Sequence, residues 1–339
     1  MTADALDPRT PPIRLLDRLG PDADPVGPPP APDAALAYCR GLARSHYENF
    51  SVLTGLVPRA LRDDFAAVYA FCRWSDDLGD ETGSTPEARE RSERLLGWWR
   101  EGLHACHASA TDSSGPRAAP ACRHPVYVAL AETFRRHPVL GRKPFDDLID
   151  AFVQDQRVTR YDTWDRCVDY CTRSANPVGR IVLGLGGYAE TPDNAERFAM
   201  SDATCTALQL INFWQDVRRD LLERDRVYLP ALDTGITPDT LRDWIDRSDD
   251  PSARVAYIRA LRPLIERTRE LFDRGEPLPG LLRRDLAPVV RLFHDGGVAI
   301  LRAVERSGCA TLWTRPRLGK LTKAALLARA YGRVLAGRA

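Results

Sequence analysis

The sequence predicts an all-α protein, built as a single large helical bundle. Three observations carry that prediction. From Pro32 onward, apolar residues recur almost without a break at the three- and four-residue spacing of a helix face. Helix-start signals punctuate the chain at Thr85-Pro86, Lys143-Pro144 and Thr191-Pro192. No alternating segment carries hairpin turn chemistry, and no internal repeat is present. At 339 residues, 44% hydrophobic and 28% charged, the chain is long enough to close such a bundle around a substantial core.

The elements follow in order. Residues 1–32 hold nine of the 26 prolines and little apolar periodicity, which predicts a disordered or loosely attached leader. The all-α domain then occupies 33–339. Within 59–80, Phe65, Val68, Tyr69 and Cys72 fall at helical spacing. A helix over 86–107 starts from the cap Thr85 and first-turn Pro86. Others are expected over 124–136, from 143, over 162–173 and over 177–188. A long helix runs from Thr191-Pro192 to about Leu222, and four more cover 238–247, 251–274, 284–307 and 318–336.

Composition removes several function classes. The 48 basic residues nearly cancel 47 acidic ones, so nothing chain-wide draws the protein to nucleic acid. Apolar runs such as Ile181 to Leu185 fall far short of the roughly 20 residues of a membrane span. The start, MTADALDPRT, is too acidic and proline-rich for a signal peptide, so a cytoplasmic location is expected. The eight cysteines include no CxxC pair and read as small buried hydrophobes in a reducing compartment. His104, Cys106, His107, Cys122 and His124 cluster in sequence, but their spacing matches no zinc knuckle.

Two stripes carry the chemistry. In YAFCRWSDDLGDE, residues Tyr69, Arg73, Asp76 and Asp80 fall within roughly 60° of arc. In CTALQLINFWQDVRRD, residues Gln209, Asn212, Asp216 and Asp220 fall within roughly 80°, among apolar neighbours. Buried carboxylates are costly unless paired or bound to metal. Two Asp-xxx-Asp pairs facing one another would form an oxygen cage for Mg²⁺, with Arg73 neutralising a substrate's phosphates. The implied substrate is a diphosphate with a hydrocarbon tail. A third acidic run, Asp146-Asp147-Leu148-Ile149-Asp150, follows Lys143-Pro144 and reads instead as acids in a helix's first turn.

These motifs, with Tyr170-Cys171 and Arg226-Val-Tyr-Leu-Pro230, resemble the squalene/phytoene synthase family of the isoprenoid synthase fold, from about Ala34 to Arg329. The resemblance implies that Asp76, Asp77, Asp80, Asp216 and Asp220 bind Mg²⁺, more than one ion in all. It implies an active-site role for Tyr170, diphosphate contacts for Arg73 and Arg315, and polar pocket roles for Gln209 and Asn212.

Three departures point within the family to the bacterial hydroxysqualene synthase branch. They are His46-Tyr47-Glu48-Asn49-Phe50, the segment after Tyr170-Cys171, and Gln215 where an arginine is frequent. That branch usually has a proline where this chain has Ser51. The resemblance implies conversion of presqualene diphosphate and water to hydroxysqualene and diphosphate. No nicotinamide is needed, since a separate enzyme of the squalene pathway performs the reduction. Glu48 and Asn49 are the candidates to hold the attacking water. The alternatives are head-to-head condensation of farnesyl or geranylgeranyl diphosphate, and, more remotely, a non-catalytic assembly factor. Residues 302–338 carry nine basic side chains against one acid, so the last helix can lie peripherally on the inner membrane face.

Overall fold

The computed structural model describes residues 6–23, 28–46, 56–83, 85–111 and 123–335. Among them no strand forms, and the fold is all-α; pairing of extended chain is limited to an isolated bridge between Arg160 and Val227. Twelve helices of eight or more residues are labelled here. They are α1 Pro32–His46, α2 Arg62–Asp80, α3 Pro86–Thr111, α4 Pro125–Arg136, α5 Lys143–Asp155 and α6 Trp164–Ser174. The remainder are α7 Asn176–Leu185, α8 Ala195–Arg224, α9 Pro238–Ile245, α10 Pro251–Gly275, α11 Ala287–Arg306 and α12 Lys320–Leu335.

By their packing the helices group into two compact units: residues 1–156 with 181–190, and residues 157–180 with 191–339. In the first unit α2 packs against α1, α3, α4 and α5. Its Ala66, Ala67, Ala70, Phe71, Trp74 and Leu78 form the buried face that the helical spacing requires. Trp74 and Trp99 stack at 5.5 Å, and His124 wedges edge-on against both. Burial pushes the His124 imidazole down to about 3, so it sits there neutral. Asp64, fully buried at the start of α2, is met by Arg136 at 2.5 Å and His137 at 3.0 Å. Gly102 on α3 is demanded by close approach, because a Cβ there would stand 2.4 Å from the Tyr127 ring.

The leader departs from expectation over residues 6–23. Pro12–Leu15 forms a 3₁₀ turn that packs on α2, and Leu15 and Leu16 are buried in the first unit's core. The Ser45 hydroxyl donates to the Pro8 carbonyl at 2.8 Å. Composition reads this segment as a leader because prolines suppress periodicity, whereas two leucines suffice to dock it.

In the second unit the 30-residue α8 packs against α6, α10 and α11, and α12 lies on α11. The Trp214 indole donates to Thr268 Oγ1 at 2.9 Å, tying α8 to α10. α8 ends at Asp225, which takes the left-handed conformation (φ 49°) usually left to glycine. Arg160 and Arg242 both grip the Asp225 carboxylate, at 2.6 and 2.5 Å. Among the described residues no helix is long and apolar enough to cross a membrane. Leu321, on α12, is 88% exposed.

Candidate functional site

On α2 the predicted stripe is real. Tyr69, Arg73, Asp76 and Asp80 are half-buried along one face, with Cys72 between Tyr69 and Arg73 and Phe65 continuing the face toward the helix start. One half-open face therefore runs from apolar to anionic within a single helix. Asp77 does not share it. A step of about 100° turns its carboxylate inward, where it is 0% exposed and ion-paired with Arg73. Burial, as the largest influence, pushes Asp77 up to about 6 despite that guanidinium. Arg73 also donates to Asp76 at 3.2 Å, and Asp76 is 44% exposed. The Nε of Arg73 is buried and has no hydrogen-bond partner among the described residues. A buried guanidinium donor beside half-open carboxylates is what an incoming anion completes.

The second unit repeats this arrangement on α8. Asp216 and Asp220 lie one turn apart with side chains 9% and 10% exposed. Arg219 bridges them, with Nη2 at 3.1 Å from Asp216 and 3.6 Å from Asp220. Its Nε too is buried without a hydrogen-bond partner. Burial pushes Asp220 up to about 6, and Arg219 is the largest influence in the opposite direction. Gln209 is half-buried and Asn212 exposed on the preceding turns. Arg315 reaches Asp216 with two nitrogens, a contact that gives this C-terminal arginine a place at the carboxylate set.

Tyr170, on α6, is buried in an aromatic group of the same unit. Its ring lies 5.3 Å from Tyr161, 6.1 Å from Phe213 and 5.9 Å from Tyr228. Phe213 and Tyr228 stack face to face at 3.7 Å. Phe213 precedes Asp216 by three residues, so the aromatic group and the carboxylates share one helix. Tyr228 is held by its backbone, since the Cys167 thiol donates to its carbonyl at 3.2 Å.

A magnesium ion fits these residues. Every donor is a carboxylate oxygen, and Mg²⁺ takes one or two protein carboxylates while keeping water and phosphate oxygens elsewhere. Among the described residues no three His, Cys, Asp or Glu side chains are gathered into a larger shell. The acidic run on α5 is met by neighbouring side chains: Asp146 by Arg142 and the His104 ring, Asp147 by Lys143, Asp150 by Arg100. Glu48 and Asn49 lie outside the described residues.

Arg219 and the partners of Arg315 were not legible in the sequence. Arg219 reads as one basic residue in a polar helix end, although its spacing of three from Asp216 offered a signal. Arg315 meets Asp216 across 99 residues of chain, which no local pattern encodes.

The squalene/phytoene synthase family model matches residues 43–322. The hydroxysqualene synthase of Sinorhizobium fredii is 32% identical over 78% of this chain and 82% of its own length. That of Zymomonas mobilis is 33% identical over 54% of this chain, and the chain spans only 55% of that protein. Among solved structures, squalene synthase HpnC from Alicyclobacillus acidocaldarius is 39% identical, with a TM-score of 0.69 over 82% of this chain and 95% of the other.

The raised Asp220 carboxyl sets a pH signature for the metal-free protein. A proton binds Asp220 more tightly in the folded chain, at about 6, than at the ordinary value of 3.8. Its contribution to stability is therefore full below about pH 4 and is lost as pH climbs through 6. Asp220→Asn cannot ionise and escapes that loss. Its stability advantage over wild type should grow from near zero at about pH 4 to about 2 kcal/mol at pH 7. Urea unfolding in chelator across that range measures it, and a difference independent of pH would overturn the assignment.

Proposed function

The chain belongs to the squalene/phytoene synthase family, and on that premise we propose that it converts presqualene diphosphate and water to hydroxysqualene and diphosphate. The observation that carries this reading is the repeated pairing of carboxylates, half-open on α2 and nearly buried on α8, with an arginine whose buried Nε lacks a hydrogen-bond partner among the described residues, Arg73 and Arg219. Both units are suited to an anion accompanied by divalent cations. The apolar continuation of the α2 face suits the hydrocarbon of the same substrate. The hydroxysqualene synthases similar to this chain favour this product within the family.

Asp76 and Asp80 in the first unit, and Asp216 and Asp220 in the second, would hold Mg²⁺. Bound there, the ion supplies Lewis-acid stabilisation of charge on the leaving diphosphate. Asp77, sealed beneath Arg73, would serve by fixing that guanidinium toward the substrate. Arg73 in the first unit and Arg219 in the second are each suited to donate to a phosphate oxygen, favouring departure of the diphosphate with the electron pair of the broken carbon–oxygen bond. Tyr170, Phe213 and Tyr228 offer π faces to a carbocation in a desolvated setting, where such contacts are strongest. Water then adds to the cation and loses a proton, and Glu48 and Asn49 are the proposed residues that hold it. Gln209 and Asn212 supply polar contacts on the α8 face.

The deciding experiment is incubation with presqualene diphosphate and Mg²⁺, with the lipid product identified. Formation of hydroxysqualene supports the proposal. Turnover of farnesyl diphosphate to presqualene diphosphate, of farnesyl diphosphate with a nicotinamide reductant to squalene, or of geranylgeranyl diphosphate to phytoene would replace it with the condensation reading. Asp76→Asn with Asp80→Asn, and Asp216→Asn with Asp220→Asn, should each lower turnover by at least about 10³-fold, several kcal/mol of lost charge stabilisation. Near wild-type rates in either would sink the metal assignment.

Glu48→Lys with Asn49→Ser should shift the product away from the alcohol. An unchanged proportion of hydroxysqualene would place water control elsewhere.

Peripheral membrane contact belongs to the same proposal, because substrate and product are long hydrocarbons. The exposed Leu321 and the basic residues of α12 are suited to an anionic bilayer. Sedimentation with anionic vesicles should occur at low salt and be lost at high salt or on deletion of 318–339. Binding indifferent to that deletion would rule out α12 as the contact.

A further inference from the structure

Asp216 already has a cation in place. Arg315 donates through Nε to Oδ1 and through Nη2 to Oδ2, the latter at 3.0 Å, so both carboxylate oxygens are engaged by one planar fork. Arg315 comes from the coil between α11 and α12, and that coil is fastened at three points. The Tyr257 and Thr311 hydroxyls meet at 2.7 Å, and the Trp313 indole donates to the Trp244 carbonyl at 2.8 Å. The third fastening is the Gln215 amide, which donates to the Pro316 carbonyl at 2.5 Å. Gly308 and Cys309, both left-handed at φ 73° and 60°, turn the chain out of α11 into this path.

Adjacent residues on α8 thus grip adjacent residues of the coil. Gln215 holds the backbone at 316 and Asp216 receives the side chain of 315. The anchor is buried and the guanidinium is not: Gln215 is 7% exposed, whereas the Arg315 side chain is 36% exposed. A fixed backbone with a long, half-open side chain can exchange partners without the coil moving.

We propose that Gln215 is a positioning residue that seats Arg315 as the resident counter-cation of Asp216, to be displaced when a divalent cation binds that carboxylate. The inference rests on the metal role proposed above for Asp216. A carboxylate this buried needs positive partners at all times, and while the metal is absent Arg315 supplies the two-point one beside the single contact of Arg219 at 3.1 Å. Metal binding then has to break two charge-assisted hydrogen bonds, so the ion alone binds weakly. The freed guanidinium stays tethered beside the carboxylate set and becomes available to an anion. Cation and diphosphate consequently bind with positive coupling, each favouring the state the other requires.

The test is Mn²⁺ affinity of the full chain, measured by electron paramagnetic resonance without substrate and again with inorganic diphosphate. Arg315→Gln should bind Mn²⁺ about tenfold more tightly than wild type without diphosphate, the scale of one charge-assisted pair. With diphosphate present that advantage should vanish, because the released donor is missing. Removing a positive charge would strengthen any nearby cation site, so Gln215→Met is the sharper variant. It keeps the net charge and approximate size, and it should also tighten Mn²⁺ binding, by a smaller factor. The double variant should bind no tighter than Arg315→Gln, since Gln215 acts through Arg315. Arg315→Lys, a single-point donor, should fall between wild type and Arg315→Gln and covers the case in which the glutamine variant folds poorly.

Asp216→Asn separates the two ways of failing. If it leaves Mn²⁺ binding unchanged, the metal role of Asp216 falls and the exchange falls with it. If it removes a bound Mn²⁺ while Gln215→Met and the Arg315 variants bind no tighter than wild type, the exchange alone is overturned.

Discussion

The cost of taking carboxylates out of water governs this structure. Asp64, Asp77, Asp216 and Asp220 are all shielded from solvent, and each is answered by guanidinium or imidazole groups placed at hydrogen-bond or ion-pair distance. The answers differ in kind. Asp64 is closed off by Arg136 and His137 and has no further capacity to do anything but hold helices together. Asp77 and Asp220 are incompletely compensated, which is why burial leaves both carboxyls raised to about 6. An incompletely compensated anion is unstable alone and receptive to a cation, so the same deficit that weakens the free protein prepares it for a ligand.

The helices of each unit are arranged to make that deficit tolerable. α2 and α8 are the most surrounded helices of their units, and each presents apolar residues to several neighbours at once. Only a helix supported on most sides can leave one face half-open and still stay in place. Trp74 with Trp99, and Trp214 with Thr268, secure the closed sides by stacking and hydrogen bonding. The functional stripe is what remains when every other direction has been filled.

Much of this was legible in the sequence, for identifiable reasons. Helix positions were readable because Thr-Pro and Lys-Pro starts and three-four spacing are local signals, and the α-helical class follows from them. The α2 stripe was readable because a 100° step is arithmetic. Asp77 was expected among the metal ligands from the resemblance alone, and its burial against Arg73 emerges only in the structure. Docking of residues 6–23 was not readable, since Leu15 and Leu16 are two leucines in a proline-rich run whose burial is decided by a groove elsewhere. Division into two compact units was equally invisible, because periodicity reports which face of a helix is buried and not against what. Contacts such as Gln215 with Pro316, 101 residues apart, have no local trace at all.

The end of α8 illustrates a choice between two ways of making a turn. A glycine at position 225 would enter the left-handed region at no steric cost and under any conditions. Asp225 enters it instead under the grip of Arg160 and Arg242, two pairs that are largely open to solvent. Open ion pairs weaken as counter-ions crowd around them. The strap from 225 to 230, which carries Tyr228 into the aromatic group, thus begins at a turn sensitive to the surrounding medium, while its middle is held by the Val227 amide on the Thr159 carbonyl at 2.9 Å and the Cys167 thiol on the Tyr228 carbonyl. Ionic strength therefore acts on the surface turn at 225, and the buried bonds beyond it shelter the aromatic stack from that influence.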